Sequence, residues 1–183
     1  RDDLFLPVVR RHADDLVALL RRLVKLPTIN PPGDHYDAIT RLLADELAAA
    51  GLAVRRPRVP QALVKKHLPV EQWGKPRWNV LGRLAAAGGA MKGRAKTLHF
   101  NAHYDVVPVS GKWRHADAFS GAVEAGWIYG RGTSDMKGSI ASLLLALRAL
   151  RAWIADAITS LPTPVSPSSS TEMVLAAARS TRA

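Results

Sequence analysis

The sequence predicts an α/β fold, with helices packed on a largely parallel or mixed sheet. Two observations carry that expectation. Stretches with apolar residues at helical spacing alternate with short β-branched or apolar runs, and a long apolar helix near the C-terminal end leads back into the sheet. In such layers the carboxyl ends of the strands form the site.

Taken in order, residues 8–26 place Leu16, Leu19, Leu20, Leu23 and Val24 on one face of an amphipathic helix, which Pro27 ends. Asn30-Pro31-Pro32-Gly33 is turn chemistry with no room for regular structure. A second helix over about 35–50 aligns Tyr36, Ile39, Leu42, Leu43 and Leu47 and stops at Gly51. His12 and His35 have no ligand-type neighbours in sequence and read as surface histidines. Residues 52–56 form a short strand. Residues 57–77, with Pro57, Pro60, Pro69 and Pro76, read as a long loop with one helical turn near 62–66. Residues 79–84 are the next strand, and 85–94 a flexible connection. Gly88 and Gly93 have phosphate-loop spacing, but Arg94 stands where the lysine is required and no Ser or Thr follows it, which discounts a phosphate site.

Thr97-Leu98-His99-Phe100 reads as a short buried strand, and a histidine and an aspartate lie just beyond it. In a strand, residues i and i+2 share a face, so His103 and Asp105 project together. A carboxylate beside an imidazole fixes the tautomer of a metal-bound histidine and raises its basicity. The same spacing also suits a polar strand end where the two merely bond one another, and short motifs match by chance. Pro108 then turns the chain away. A surface excursion runs from Gly111-Lys112-Trp113 to Phe119. Residues 122–124 and 127–129 fit a hairpin around Ala125-Gly126. The glycine-punctuated stretch Gly126 to Gly138 delivers Asp135 just before a helix over about 138–153, with Ile140, Leu143, Leu144, Leu147 and Leu150 at helical spacing. Beyond Leu150 the character changes. Residues 161–171 are rich in Pro, Ser and Thr and too poor in apolar residues for a core strand, and 172–183 suit only a short, weak helix. The domain division expected is 1–150 for a catalytic unit and 151–183 for a divergent, poorly ordered tail.

At 183 residues the chain suits one domain or part of a larger one. Its 48% hydrophobic content and mean hydropathy of -0.03 are those of a soluble globular protein. No apolar run approaches the ~18–20 residues of a membrane span, which argues against a membrane partner. The chain begins at Arg1 without a signal-peptide layout or an initiator Met, leaving room for residues upstream. The absence of cysteine excludes disulfides and thiolate metal sites. The formal charge of +11 comes from scattered pairs such as Arg10-Arg11 and Lys65-Lys66, without interleaved aromatics. That pattern is a solvated surface, and no nucleic-acid partner is expected.

Three groups of residues, read together, are far more specific than any alone: His103-Tyr104-Asp105-Val106-Val107-Pro108, Trp113 with Phe119, and Tyr129-Gly130-Arg131-Gly132 through Asp135-Met136-Lys137-Gly138. They resemble the acetylornithine deacetylase and succinyl-diaminopimelate desuccinylase family of two-zinc hydrolases, over about residues 8–150. The resemblance implies the N-terminal part of a zinc-exopeptidase-like catalytic domain, and zinc-dependent hydrolysis of an amide bond in N-acyl amino acids or small peptides. It implies two zinc ions, for which cobalt can substitute, a cytoplasmic setting, and the homodimer of many members, whose dimerisation segment is not present here. By the same resemblance His103 binds one zinc, Asp135 bridges both, and Asp105 joins the catalytic residues by backing the histidine. The Asp135–Met136 peptide is expected to be cis. Two departures stand out. Ala118 occupies a position where the family usually has Pro. The Glu-Glu pair that supplies the family's general base is absent, since Glu46, Glu71, Glu124 and Glu172 are not adjacent to one another. The chain therefore reads as truncated or out of frame after Leu150 and inactive alone, the alternative being an inactive remnant that acts only as a binding or interaction module.

Overall fold

The computed structural model describes residues 2–84, 96–159 and 171–177. The first helical pattern is realised as two helices, α1 (Asp2–Arg11) and α2 (Ala13–Val24). The break falls at His12, whose φ of -103° and ψ of 9° leave helical geometry, and whose Nδ1 lies 2.9 Å from Asp15 Oδ2. Helix α2 buries Leu19, Leu20, Leu23 and Val24, and α3 (Tyr36–Ala49) buries Tyr36, Ile39, Leu43 and Leu47. After β1 (Ala53–Arg55), the stretch expected as a loop holds α4 (Gln61–His67) and a single 3-10 turn at Val70–Gln72. Burial of Val64 and Leu68 against the body of the protein favours that order over an open loop.

Strands β2 (Val80–Leu84) and β3 (Lys96–Ala102) follow, then the hairpin of β4 (Ala122–Glu124) and β5 (Trp127–Tyr129), the long helix α5 (Gly138–Thr159), and β6 (Thr171–Ala177). Ala125 and Gly126 both have positive φ, 49° and 81°, as a two-residue turn matched to strand twist demands. The main sheet has the order β1-β2-β6-β3. It is mixed: β1/β2 and β2/β6 are antiparallel, and only β3/β6 is parallel.

Four sequence expectations are corrected here. Residues 171–177 form an inner strand instead of entering a weak helix, with Leu98 opposite Met173 and Ala102 opposite Ala177. Met173-Val174-Leu175 is too short a run for periodicity to decide, and pairing on both sides fixes it as strand. Helix α5 runs through Leu150 to Thr159, past the end near residue 153 expected for it. The Pro/Ser-rich residues 160–170 and the connection 85–95 lie outside the described residues. Strand β3 is buried only in part: Leu98 is 47% exposed, while Ala102 lies in the core and Phe100 packs against it. Finally, Thr133–Ala155 is long and apolar enough, by length and composition, to cross a membrane. Its inner face packs in the protein instead: Ile140, Ala141, Leu144 and Leu147 are at most 2% exposed, clustered with α2, α3, Val80 and Ala102.

Candidate metal centre

Strand β3 ends at Ala102, so His103 and Asp105 lie on the loop beyond it, and strand alternation is not what pairs them. The pairing comes from how the loop is tied down. Val106 bridges in parallel to Ile29, with Val106 N donating to Thr28 O at 2.9 Å and Asn30 N donating to Val106 O at 2.8 Å. The Thr28 hydroxyl donates to Tyr104 O at 2.6 Å, and the Tyr104 hydroxyl donates to Trp78 O at 2.6 Å. Tyr104 is thereby turned into the core, edge-on to Tyr36 at 4.9 Å, while His103 and Asp105 face a cleft. His103 Nδ1 stands 3.1 Å from the Asp105 carbonyl oxygen and 3.3 Å from Asp105 Oδ1. Asp105 is buried, and Asn30 Nδ2 donates to its Oδ2 at 2.9 Å. Burial, reinforced by the Asp105 charge, pushes the ionisation of both Tyr36 and Tyr104 far up, so both rings stay neutral.

Asp135 arrives from a kinked turn, Thr133–Lys137, in which Asp135 and Met136 leave helical geometry. The Asp135–Met136 peptide is cis. The turn is pinned on both sides. His103 N donates to Met136 Sδ at 3.3 Å, and the buried Lys137 Nζ donates to Leu23 O at 2.9 Å and Leu26 O at 2.7 Å at the C-terminal end of α2. Burial pushes the Lys137 amine down to about 7, against the opposing pull of the Asp105 charge. Gly132 has φ of +91°, and a Cβ there would lie 2.7 Å from Val106 Cγ1, so only glycine lets this turn close on the Val106 loop. The Asp135 side chain remains 88% exposed, with Oδ1 3.0 Å from His103 Nε2.

The structure thus brings His103, Asp105 and Asp135 together on one cleft of about 600 Å³, also lined by Trp113, Arg131 and Thr133. In the tautomer that carries its proton on Nδ1, facing the Asp105 carbonyl, Nε2 would turn a lone pair toward Asp135 Oδ1. Two acceptors facing one another at 3.0 Å call for a cation between them, a proton or a metal ion. Two ligands each ~2 Å from one tetrahedral zinc stand roughly 3.3 Å apart, so this pair fits as two members of a metal shell. A third is not at hand: among the described residues no group of three His, Cys, Asp or Glu side chains is placed to hold a metal. Glu46 is engaged with Arg22 and Arg148, and Glu124 with Arg114. Asn30, Thr28 and Lys137 had no assigned role in the sequence reading. Their partners lie 75 or more residues away along the chain, and nothing local marks them.

Residues 99–159 match the model of peptidase family M20/M25/M40. A succinyl-diaminopimelate desuccinylase of Xanthobacter autotrophicus is 36% identical over 132 residues, 71% of this chain and 29% of its own length. One of Methylobacterium radiotolerans is 34% identical over 143 residues, covering 77% and 31%. The chain spans about three tenths of the length of the curated relatives it matches. Among solved structures, human carnosine dipeptidase 1 superposes with a TM-score of 0.65 at 23% identity, over 94% of this chain and 34% of that one. A dipeptidase of Saccharomyces cerevisiae gives 0.67 at 16% identity, over 96% and 34%. These two likenesses establish the mixed α/β fold. Through residues 99–159 the chain is similar to peptidase family M20/M25/M40, and over its N-terminal part to succinyl-diaminopimelate desuccinylases.

Proposed function

We propose that this chain carries part of the site of an amide-hydrolysing metalloenzyme, with zinc as the metal and N-acyl amino acids or small peptides as substrates. One observation carries the reading: a histidine nitrogen and an exposed carboxylate oxygen meet at 3.0 Å over a cleft, while the histidine's other nitrogen lies 3.1 Å from the Asp105 carbonyl oxygen and 3.3 Å from its buried carboxylate. His103 and Asp135 would be the metal ligands. Asp105 acts through His103, keeping Nδ1 protonated and Nε2 free, and is a positioning residue. When bound, such ions polarise a carbonyl and lower the pKa of a water. The relatives' names support the reaction class, since desuccinylases and dipeptidases both break amide bonds.

A second reading, an inactive remnant with only a binding role, is favoured by two specific facts. The described residues offer two ligand groups where a stable zinc site uses four, and no two glutamates are adjacent. General-base help is typically worth ~10²–10⁴-fold, so the polypeptide alone is expected to hydrolyse neither acetylornithine nor succinyl-diaminopimelate above background. Calorimetric zinc titration separates the readings. Saturable binding that His103→Ala and Asp135→Asn each weaken supports the metal site, and no binding heat leaves the remnant.

A further inference from the structure

We propose that Arg131 is an anion-recognition residue of this cleft, its guanidinium receiving a carboxylate of the ligand while resting on Trp113. The inference rests on the reading above for the cleft being the site. Among the residues lining it, Arg131 is the one arginine, and no lysine lines it. Its guanidinium carbon lies 4.9 Å from the centre of the Trp113 ring. One terminal nitrogen reaches Pro108 O at 3.4 Å, the long limit for a hydrogen bond, and Nε is buried without a partner. No carboxylate pairs with it among the described residues, although Asp105 and Asp135 line the same cleft. Arg114 shows the contrast, because its fork is filled by Glu124 at 2.8 and 2.9 Å.

The backbone behind Arg131 is fixed, its N–H donating to Ala118 O at 2.7 Å. A guanidinium laid on an indole keeps its charge and little of its freedom, so it loses little entropy when an anion arrives. Its exposed edge offers terminal N–H groups to a planar carboxylate, the strong form of charge-assisted hydrogen bond. The other polar groups on the cleft wall, Asn30, Gln72, Thr133 and Ser134, are neutral and do not discriminate charge. Arg131 is what makes this cleft prefer an acid to its amide.

The test titrates succinate and, separately, its neutral isostere succinamide into the 183-residue chain, stripped of metal and dialysed free of chelator. The readout is the Trp113 indole N–H resonance, identified among the five tryptophans by Trp113→Phe. Succinate is expected to shift that resonance saturably, and succinamide at least tenfold more weakly. Arg131→Ala should abolish the succinate response, and Arg131→Lys should retain a weakened one. Should Arg131→Ala not fold, the succinamide comparison and Arg131→Lys decide. Equal responses to both ligands, no response to succinate, or a response that survives Arg131→Ala in folded protein overturns the proposal. Since no metal is present, failure of the zinc site leaves each of these outcomes readable, and zinc titration reports on that site separately.

Discussion

Replacing Gly132 by alanine tests whether the contact between the Asp135 turn and the Val106 loop is as tight as the geometry says. Two costs add. At φ of +91° a side chain sits where L-residues lose ~1–2 kcal/mol. The new Cβ would also lie 2.7 Å from Val106 Cγ1 and 3.2 Å from Lys137 Cδ, and overpacking of this kind typically costs ~1–3 kcal/mol. Val106 cannot easily retreat, because its N–H and C=O are both committed to the Thr28–Asn30 segment. The sum, ~2–5 kcal/mol, is a large part of the ~5–15 kcal/mol that holds a typical domain folded. Gly126→Ala is the control: its φ is +81°, but a Cβ there meets nothing within 4 Å, so only the conformational cost remains. Urea unfolding followed by far-ultraviolet circular dichroism measures both. Gly132→Ala should be the more destabilising by at least ~1 kcal/mol, and Val106→Ala in the same chain should recover part of the loss. Equal midpoints for the two glycine variants would refute the steric argument.

Leu144, fully buried among α2, α3 and the sheet, should cost ~2–5 kcal/mol when cut to alanine, and a loss under ~1 kcal/mol by urea unfolding would mean this core is loosely packed. Asp105→Asn should weaken zinc affinity ~10–100-fold by calorimetry, the usual effect of removing a carboxylate that orients a ligand histidine, and unchanged affinity would free His103 from Asp105. Asp37 is held below its ordinary value by hydrogen bonds from Arg56 and then Arg41. A depressed carboxyl contributes stability above its unfolded pKa and loses it as pH falls through the folded one, so Asp37→Asn should flatten the decline in stability below about pH 4. Parallel acid limbs for the two proteins would show that the pairing is not felt; the group is exposed, so the effect should be small.

What the sequence made legible was local. Helix α3 and the β4–β5 hairpin were readable because periodicity and the Ala125-Gly126 turn act over a few residues. His103 with Asp105 was found by spacing, yet the strand alternation invoked for it is not the cause, since the strand ends first and a bridge to Ile29 sets the loop. Strand β6 was missed because a short apolar run suits either helix or strand until its neighbours in the sheet are known. Lys137 stood in plain view within the motif, but its bonds to Leu23 and Leu26 span more than a hundred residues, and no local pattern encodes them. The same holds for Asn30, whose turn chemistry gave no sign that its amide would hold Asp105.

The central claim is that His103 offers Nε2 to a metal shared with Asp135 while Asp105 keeps the other nitrogen protonated. Long-range proton–nitrogen correlation of the histidine rings, recorded before and after one equivalent of zinc, addresses that claim nitrogen by nitrogen. The expected result is a large shift at His103 Nε2, a still-protonated Nδ1, and loss of the Nε2 shift in Asp135→Asn. Zinc that leaves His103 unmoved, or that binds through Nδ1, would contradict the account.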